Sequence, residues 1–192
     1  MAVTPSTMLD LGTPMPSFQL RTFDGATVSP GDFKDARGTL VAFICPHCPF
    51  VKHIRDGFAR FARDYRAKGL AVAAINSNDA STFPTDDAAG MKKEAEEAGY
   101  TFPYLFDEDQ AVAKAFRAAC TPDFFLFDRS SKLVYRGQFD SSRPGNDIPV
   151  TGSDLRTAVD AVLSGRPPSA DQKPSAGCNI KWKPGNEPNY AH

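Results

Sequence analysis

The chain has 192 residues, 41% of them apolar and 23% charged, with a formal net charge of -1. These values are typical of a single globular domain and exclude general disorder, a nucleic-acid-binding face and a membrane-attracted surface. The longest apolar runs, "LVAFIC" and "LAVAAI", are too short to span a bilayer. The N-terminus has neither the basic start nor the unbroken apolar stretch of a secretory signal, so we expect a cytoplasmic protein.

The first half of the chain predicts a hairpin followed by one β–α–β unit. The hairpin is indicated by an alternating segment that turns at Asp24–Gly25. Residues 39–45 are almost all apolar, which is typical of a strand buried on both faces. From Pro49 the apolar residues recur at steps of three and four until Gly69, which predicts an amphipathic helix. A second buried strand at 70–77 completes the right-handed crossover.

The second half predicts shorter elements that add to the same sheet. In chain order they are a polar helix at 91–98, a strand at 102–107, a brief helix at 110–116, strands at 120–128 and 132–140 that form a hairpin, and a helix at 153–165 with Ser153 as its N-cap. The order predicts an α/β protein, with a central mixed sheet that has helices on both faces.

The last segment of the chain differs from the rest. Residues 166–192 are rich in proline and show no helical or strand period. We therefore assign one domain to residues 1–165, including the N-terminal hairpin, and an extended C-terminal tail to residues 166–192. Ile180 and Trp182 are apolar, which indicates that this tail packs onto the domain.

The segment with the most chemically reactive side chains is "FICPHC". Cys45 ends a buried strand and Cys48 lies at the start of the amphipathic helix. Free N–H groups and the positive end of the helix dipole favour a thiolate there, and Cys48 is near enough to close a ring onto the first sulfur. Pro46 suits a first helical turn, and His47 adds a donor or a positive charge. We expect the pKa of Cys45 to lie well below the ordinary ~8.5 of a free thiol.

Four interpretations of this segment are open. A C-x-x-C sequence beside a β–α–β pattern indicates a thiol–disulfide pair. A metal site would use the two CPHC cysteines with His47 or His53, but a structural zinc site normally needs a second close pair, and Cys120 and Cys178 stand apart in the sequence. A peroxide-reducing site would oxidise a thiolate to a sulfenic acid. The fourth interpretation is a pair of inert, half-buried cysteines.

The chain resembles the thioredoxin-like proteins of the alkyl hydroperoxide reductase/thiol-specific antioxidant (AhpC/TSA) superfamily. The segments that carry the resemblance cover nearly the whole chain and include "FICPHC", "AINSND", "CTPDFFLFD" and "GCNIKWKPGN". The resemblance implies a thioredoxin-like fold. In that fold a Thr–cis-Pro dipeptide faces the active disulfide and presents its backbone to the substrate, and Thr121–Pro122 fits this dipeptide.

The resemblance also implies a function. Peroxiredoxins carry a peroxide-binding Thr three residues before the reactive cysteine, where this chain has Ala42. Disulfide exchange is therefore implied, with Cys45 as the attacking thiolate and Cys48 as the thiol that resolves the mixed disulfide. The expected partners are a protein or small-molecule disulfide and a cellular dithiol, and no cofactor or metal is required. An atypical thiol peroxidase and a metal- or partner-binding module remain the alternatives.

Two further cysteines are candidate redox residues. Cys120 lies two residues before Pro122, close enough for a redox role, although a buried free cysteine is also an ordinary core residue. Cys178 lies in the tail. It could form a bridge with Cys120 that pins the tail, or it could serve as an extra resolving thiol. The oligomeric state is not predicted.

Overall fold

The computed structural model describes residues 3–191, so the first two residues of the predicted domain and the last residue of the predicted tail lie outside it. The strands in this part of the chain are β1 (Thr4–Pro5), β2 (Leu20–Thr22), β3 (Thr27–Val28), β4 (Gly38–Phe43), β5 (Leu70–Asn76), β6 (Tyr104–Phe106), β7 (Cys120–Thr121), β8 (Asp123–Asp128), β9 (Leu133–Gly137) and β10 (Ala176–Asn179). The α-helices are α1 (Pro49–Arg66), α2 (Ala88–Ala98), α3 (Ala111–Phe116) and α4 (Ser153–Leu163). Among the described helices, none is long and apolar enough to cross a membrane.

The main sheet has seven strands in the order β3-β2-β6-β5-β4-β8-β9. Strands β4, β5 and β6 run parallel, whereas the pairs β2–β3, β2–β6, β4–β8 and β8–β9 are antiparallel. All six residues of β4 are buried, which explains why this central strand is almost entirely apolar. The predicted mixed sheet, N-terminal hairpin and α/β class are confirmed.

Helices cover both faces of this sheet. The buried residues of α1, α2 and α4 share one apolar cluster, and those of α3 belong to a second cluster on the other face. Within the first cluster Phe58 of α1 packs against five aromatic rings. This packing uses the apolar stripe that the sequence predicted for α1, and it fixes the start of that helix against the end of β4.

The C-terminal segment contains a strand that the sequence did not predict. Strand β10 is the middle strand of a three-stranded sheet, with β1 on one side and β7 on the other. Its sequence "AGCN" contains Gly and Asn, which have low strand propensity, so no local pattern marks it. The backbone N–H of Ile180 donates to the carbonyl of Ala119, and Cys178 and Ile180 are buried. The segment is therefore built into the fold beside β7.

Two predicted boundaries are wrong in detail. Gly152, not Ser153, is the N-cap of α4, because the chain enters this helix with a φ of +69°, where glycine carries no steric penalty. The strand predicted at 120–128 is divided into β7 and β8 by Pro122, whose peptide bond with Thr121 is cis.

Candidate active site

Cys45 and Cys48 lie at the carboxyl end of the central strand β4. The strand ends at Phe43, and α1 begins at Pro49 with Cys48 as its N-cap. The residue at the helix terminus is Cys48 rather than Cys45, and the helix begins at Pro49, as the sequence predicted. Both side chains are fully buried. A proline at the first helical position has no N–H to leave unpaired, so Pro49 fixes this boundary.

The dipeptide that contains the cis bond faces both cysteines. The Cys45 Sγ atom lies 3.4 Å from Thr121 Oγ1, and the Cys48 thiol donates to the Thr121 carbonyl oxygen at 3.2 Å. The structure therefore brings Cys45 and Cys48 next to Thr121 and Pro122, although more than 70 residues separate the two cysteines from this dipeptide in the sequence.

A third sulfur lies in the same place. The Sγ atoms of Cys48 and Cys178 are 2.9 Å apart. Cys178 is there because β10 pairs with β7 in a register that sets Cys178 opposite Thr121, and directly opposed residues point to the same side of a sheet. We refer to Cys45, Cys48 and Cys178 as the three-thiol cluster. Its members are all thiols in this structure.

Cys120 is not part of the cluster. Neighbouring residues of a strand point to opposite faces, so the side chain of Cys120 is directed away from that of Thr121. Its thiol donates instead to the carbonyl oxygen of Pro122 at 3.7 Å. Because Cys178 shares the side of Thr121, the suggested Cys120–Cys178 bridge is wrong.

The charge distribution in the cluster also differs from the prediction. Burial raises the pKa of Cys45, and the hydrogen bond with Cys48 and the negative charge of Asp86 raise it further. Hydrogen bonds with Cys178 and Cys45 lower the pKa of Cys48, and the hydrogen bond with Cys48 and burial raise that of Cys178. The low pKa that the sequence predicted for Cys45 is opposed by its burial in this reduced form. Within the cluster the lowered pKa belongs to Cys48, the N-cap of α1, where the positive end of the helix dipole also favours a negative charge.

Asp86 is a functional candidate that sequence reasoning missed. His47 donates to its carboxylate twice, from Nδ1 at 2.5 Å and from the backbone N–H at 3.0 Å. Asn78 donates to the same carboxylate at 2.7 Å, and the His47 ring stacks on Phe83. Asp86 is fully buried, and His47 Nδ1 lies 3.7 Å from the Cys45 Sγ atom. The sequence did not indicate Asp86 as a site residue, because the acidic residues of "TDD" lie in a segment that has the composition of an ordinary loop.

Two further buried acids lie near the cluster. Burial raises the pKa of Glu94 to about 7, and Tyr104 donates to this carboxyl at 2.9 Å. Burial also raises the pKa of Asp123, which follows the cis bond at the start of β8. Neither residue was singled out in the sequence, because carboxyls far apart along the chain carry no visible pattern.

Two openings border the site. A cavity of about 330 Å³ lies against Pro46 and His47 and extends between α1 and α2. A small pocket of about 10 Å³ borders Phe50, Pro122 and Ala176, next to the cis peptide bond. A further cavity of about 390 Å³ lies at the opposite end of the sheet, beside Arg37 and Asp128.

Comparison with known proteins places this geometry in a family. Residues 11–136 match the model of the AhpC/TSA family. The chain belongs to the AhpC/TSA family. The match covers the CPHC segment, the Asp86 loop and the cis peptide bond, but not β10 or Cys178, which lie beyond residue 136.

Individual relatives agree with the family assignment. A crystal structure of a hypothetical protein from Sinorhizobium meliloti is 54% identical, with a TM-score of 0.94, and the match covers 95% of this chain and 100% of the other. A thiol-disulfide oxidoreductase, ResA, from Geobacillus thermodenitrificans is 23% identical over 130 residues, which are 68% of this chain and 70% of the relative. The structure of a putative thiol:disulfide interchange protein, DsbE, from Chlorobium tepidum is 22% identical with a TM-score of 0.65, and the match covers 81% and 99% of the two chains. The last similarity shows the thioredoxin-like fold.

Proposed function

We propose that this AhpC/TSA protein is a thiol–disulfide oxidoreductase that uses Cys45 and Cys48 as its redox pair. The observation that carries the proposal is the hydrogen bonding of both thiols to Thr121, the residue before the cis proline, at the end of the central strand. The names of the ResA and DsbE relatives support a thioredoxin-like redox function.

The reaction begins with a proton transfer inside the pair. In the reduced form the pKa of Cys45 is raised and that of Cys48 is lowered, each partly through the other. In the proposed reaction Cys48, once ionised, is the base that takes the proton of Cys45. Burial raises the pKa of Cys45, and the opposing hydrogen bond from the Thr121 hydroxyl favours the thiolate once it forms.

The next two steps transfer two electrons to the substrate. The Cys45 thiolate attacks a substrate disulfide, forms a mixed disulfide and releases the first substrate sulfur as a thiolate. Cys48 then passes its proton to that leaving group and attacks the Cys45 sulfur. The mixed disulfide breaks, the second substrate thiol leaves, and a Cys45–Cys48 disulfide remains. A cellular dithiol reverses these steps and restores the pair.

His47 and Asp86 act as positioning residues in this scheme. The Asp86 carboxylate fixes the His47 ring and the backbone of the CPHC turn through two hydrogen bonds. The rigid turn keeps the Cys45 sulfur beside the Thr121 hydroxyl. The substrate is a protein or small-molecule disulfide, and we retain the cytoplasmic location as a prediction.

The proposal is tested by the reduction of a disulfide reporter such as insulin, with dithiothreitol as electron donor. We expect Cys45→Ser to lower the rate above background at least about 100-fold, because the attacking sulfur is lost. Cys120→Ala is the matched control, since it removes a buried thiol directed away from the cluster. Equal rates for Cys45→Ser and the unmodified protein would contradict the proposal.

A second candidate function rests on a different group of atoms. Cys45, His47 and Asp86 each offer one ligand atom, and these atoms lie within 4.8 Å of one another. A soft divalent ion such as Zn²⁺ accepts this set of sulfur, nitrogen and oxygen donors. Equilibrium dialysis against zinc, with Asp86→Asn as the comparison variant, tests it. Tight binding of one ion that is weakened by Asp86→Asn would support a metal site, whereas no retention of zinc would exclude it.

The peroxidase alternative has less support. The position three residues before Cys45 is Ala42, which has no hydroxyl to bind a peroxide.

A further inference from the structure

The C-terminal strand places Cys178 against the redox pair in a way that the proposed chemistry does not use. The family match ends at residue 136, whereas Cys178 lies in β10. Within the three-thiol cluster, Cys48 is the partner of Cys45 in the proposed redox pair and its sulfur also meets that of Cys178 at 2.9 Å, so Cys48 is the central member.

The contact between Cys48 and Cys178 is close to bonding distance. Their sulfurs are 2.9 Å apart, compared with about 2.05 Å in a disulfide. Both side chains are buried, with exposed fractions of 0% and 1%. A small shift of the two side chains is therefore sufficient to join the sulfurs, without exposing either to solvent.

The fold holds Cys178 in this position through backbone contacts on both sides. Gly177 approaches β7 so closely that a Cβ atom on it would lie 2.0 Å from the Thr121 carbonyl oxygen. After the strand, the backbone N–H of Lys181 donates to Asn78 Oδ1 at 2.9 Å, and the Lys181 carbonyl accepts from the backbone N–H of Asp79 at 2.8 Å. These bonds attach the segment to the loop that also contains Asp86.

We propose that Cys178 is a second resolving thiol, which takes the disulfide over from the Cys45–Cys48 pair and forms a buried Cys48–Cys178 disulfide. The inference deepens the proposed function and rests on it for the first disulfide. Cys178 loses its proton and attacks the Cys48 sulfur, the Cys45–Cys48 bond breaks, and Cys45 leaves as a thiolate that takes up the proton. One disulfide replaces another, so no oxidant or reductant is consumed.

The exchange gives the protein a third state. In it Cys45 is again a thiol, while the oxidising equivalent is stored in the disulfide between Cys48 and Cys178, both of which are buried. Reduction of the buried disulfide then requires attack by Cys45 on Cys48, which reverses the exchange. The state also links α1 covalently to the C-terminal segment.

The exchange is tested by disulfide mapping of the full-length protein. Cleavage after Lys and Arg, except before Pro, puts Cys45 and Cys48 together in fragment 38–52, Cys120 in 118–129 and Cys178 in 157–181. A Cys45–Cys48 disulfide therefore stays within one fragment, whereas a Cys48–Cys178 disulfide links two. The reduced protein is oxidised with diamide, remaining thiols are alkylated, and fragments are identified by mass spectrometry without reduction.

The decisive variant is Cys45→Ser, which cannot form the first disulfide. We expect diamide to link fragments 38–52 and 157–181 in most molecules of this variant, and also when Cys120→Ala is added. In unmodified protein we expect the link to appear after the Cys45–Cys48 disulfide. The proposal is overturned if Cys45→Ser shows no link while circular dichroism verifies that the variant is folded. A link between Cys45 and Cys178 in Cys48→Ser would also overturn it.

Cys178→Ala separates this inference from the proposed function. We expect it to lose the link between fragments while it still forms the Cys45–Cys48 disulfide on oxidation. If unmodified protein forms the link but does not reduce insulin, the proposed function fails and the Cys178 assignment stands. If it reduces insulin but never forms the link, only the Cys178 assignment fails.

Discussion

Cys120 and Cys178 lie on paired strands one position apart, yet their surroundings are opposite. Cys178 is opposite Thr121 and meets another sulfur at 2.9 Å. Cys120 is opposite Asn179, is directed to the other side, and contacts only a carbonyl at 3.7 Å among the hydrogen bonds of the described residues. A single step along a strand therefore separates a buried thiol that contacts a sulfur from a buried thiol that contacts a carbonyl oxygen.

The two sides of β7 also differ in whether they stabilise a thiolate. On the side of Cys178 the thiols share hydrogen bonds, and the pKa of Cys48 is lowered. On the other side burial, helped by the charge of Asp123, raises the pKa of Cys120. Burial alone thus suppresses a thiolate, and donors beside the sulfur are required to stabilise one. The predictions below test this contrast, from the largest expected effect to the smallest.

Loss of the resolving thiol has the largest expected effect. Cys48→Ser should trap the mixed disulfide between Cys45 and the substrate, and turnover of a disulfide substrate should fall at least about 100-fold. Mass spectrometry of the intact protein after mixing with glutathione disulfide measures the trapped adduct. The contrast with Cys120 breaks down if Cys48→Ser turns over normally, or if Cys120→Ala traps an adduct instead.

The next effect concerns a buried acid on the side of the three-thiol cluster. Burial raises the pKa of Glu94 from 4.5 to about 7. The folded state therefore holds this proton more tightly than the unfolded state. The stability that results is fully present below pH 4.5 and is lost as the pH rises to 7. We expect a loss of about 3 kcal/mol at most for this carboxyl.

Urea unfolding at pH 4.5 and pH 8 measures this effect. Glu94→Gln should show a smaller loss of stability between the two pH values than the unmodified protein, because Gln does not titrate. Glu96→Gln on the exposed side of α2 is the control and should leave the pH profile unchanged. The same slope in Glu94→Gln and unmodified protein would be inconsistent with the raised pKa.

A backbone change tests how closely β10 must approach β7. In Gly177→Ala the new Cβ would lie 2.0 Å from the Thr121 carbonyl oxygen, so the strands must separate. We expect a loss of about 2 kcal/mol in unfolding free energy, as for other overpacked sites, together with weaker formation of the Cys48–Cys178 disulfide. Gly31→Ala, whose Cβ meets no atom closer than 3.5 Å, is the control. Unchanged stability in Gly177→Ala would mean that the approach is not needed.

The smallest effect is expected at Cys120. Cys120→Ala removes one buried sulfur from the side away from the cluster, and we expect a cost of about 1 kcal/mol in stability. Its rate of insulin reduction should stay within about twofold of the unmodified protein. A loss of activity that is larger than this would show that Cys120 communicates with the redox pair.

The sequence predicted most of the main sheet and much less of the site. Strand β4 and helix α1 have strong periodic patterns, so their existence and the position of Cys45 and Cys48 at their junction were visible. The start of α1 at Pro49 was visible as well, but which cysteine of the pair has the lowered pKa was not, because burial and hydrogen bonds from residues far along the chain decide it. Asp86 was missed as a neighbour of the pair, and Cys178 was predicted there only as one of two alternatives, because long-range strand and loop contacts bring them to the site.

The central claim is that Cys45 and Cys48 form the redox pair. A titration in glutathione buffers of graded potential, followed by differential alkylation and peptide mass spectrometry, tracks all four cysteines at once. We predict that Cys48 loses reactivity in one two-electron transition, paired first with Cys45 and then with Cys178, and that Cys120 stays reduced throughout. A Cys45 that remains reduced while Cys48 and Cys178 also stay unpaired would contradict the account.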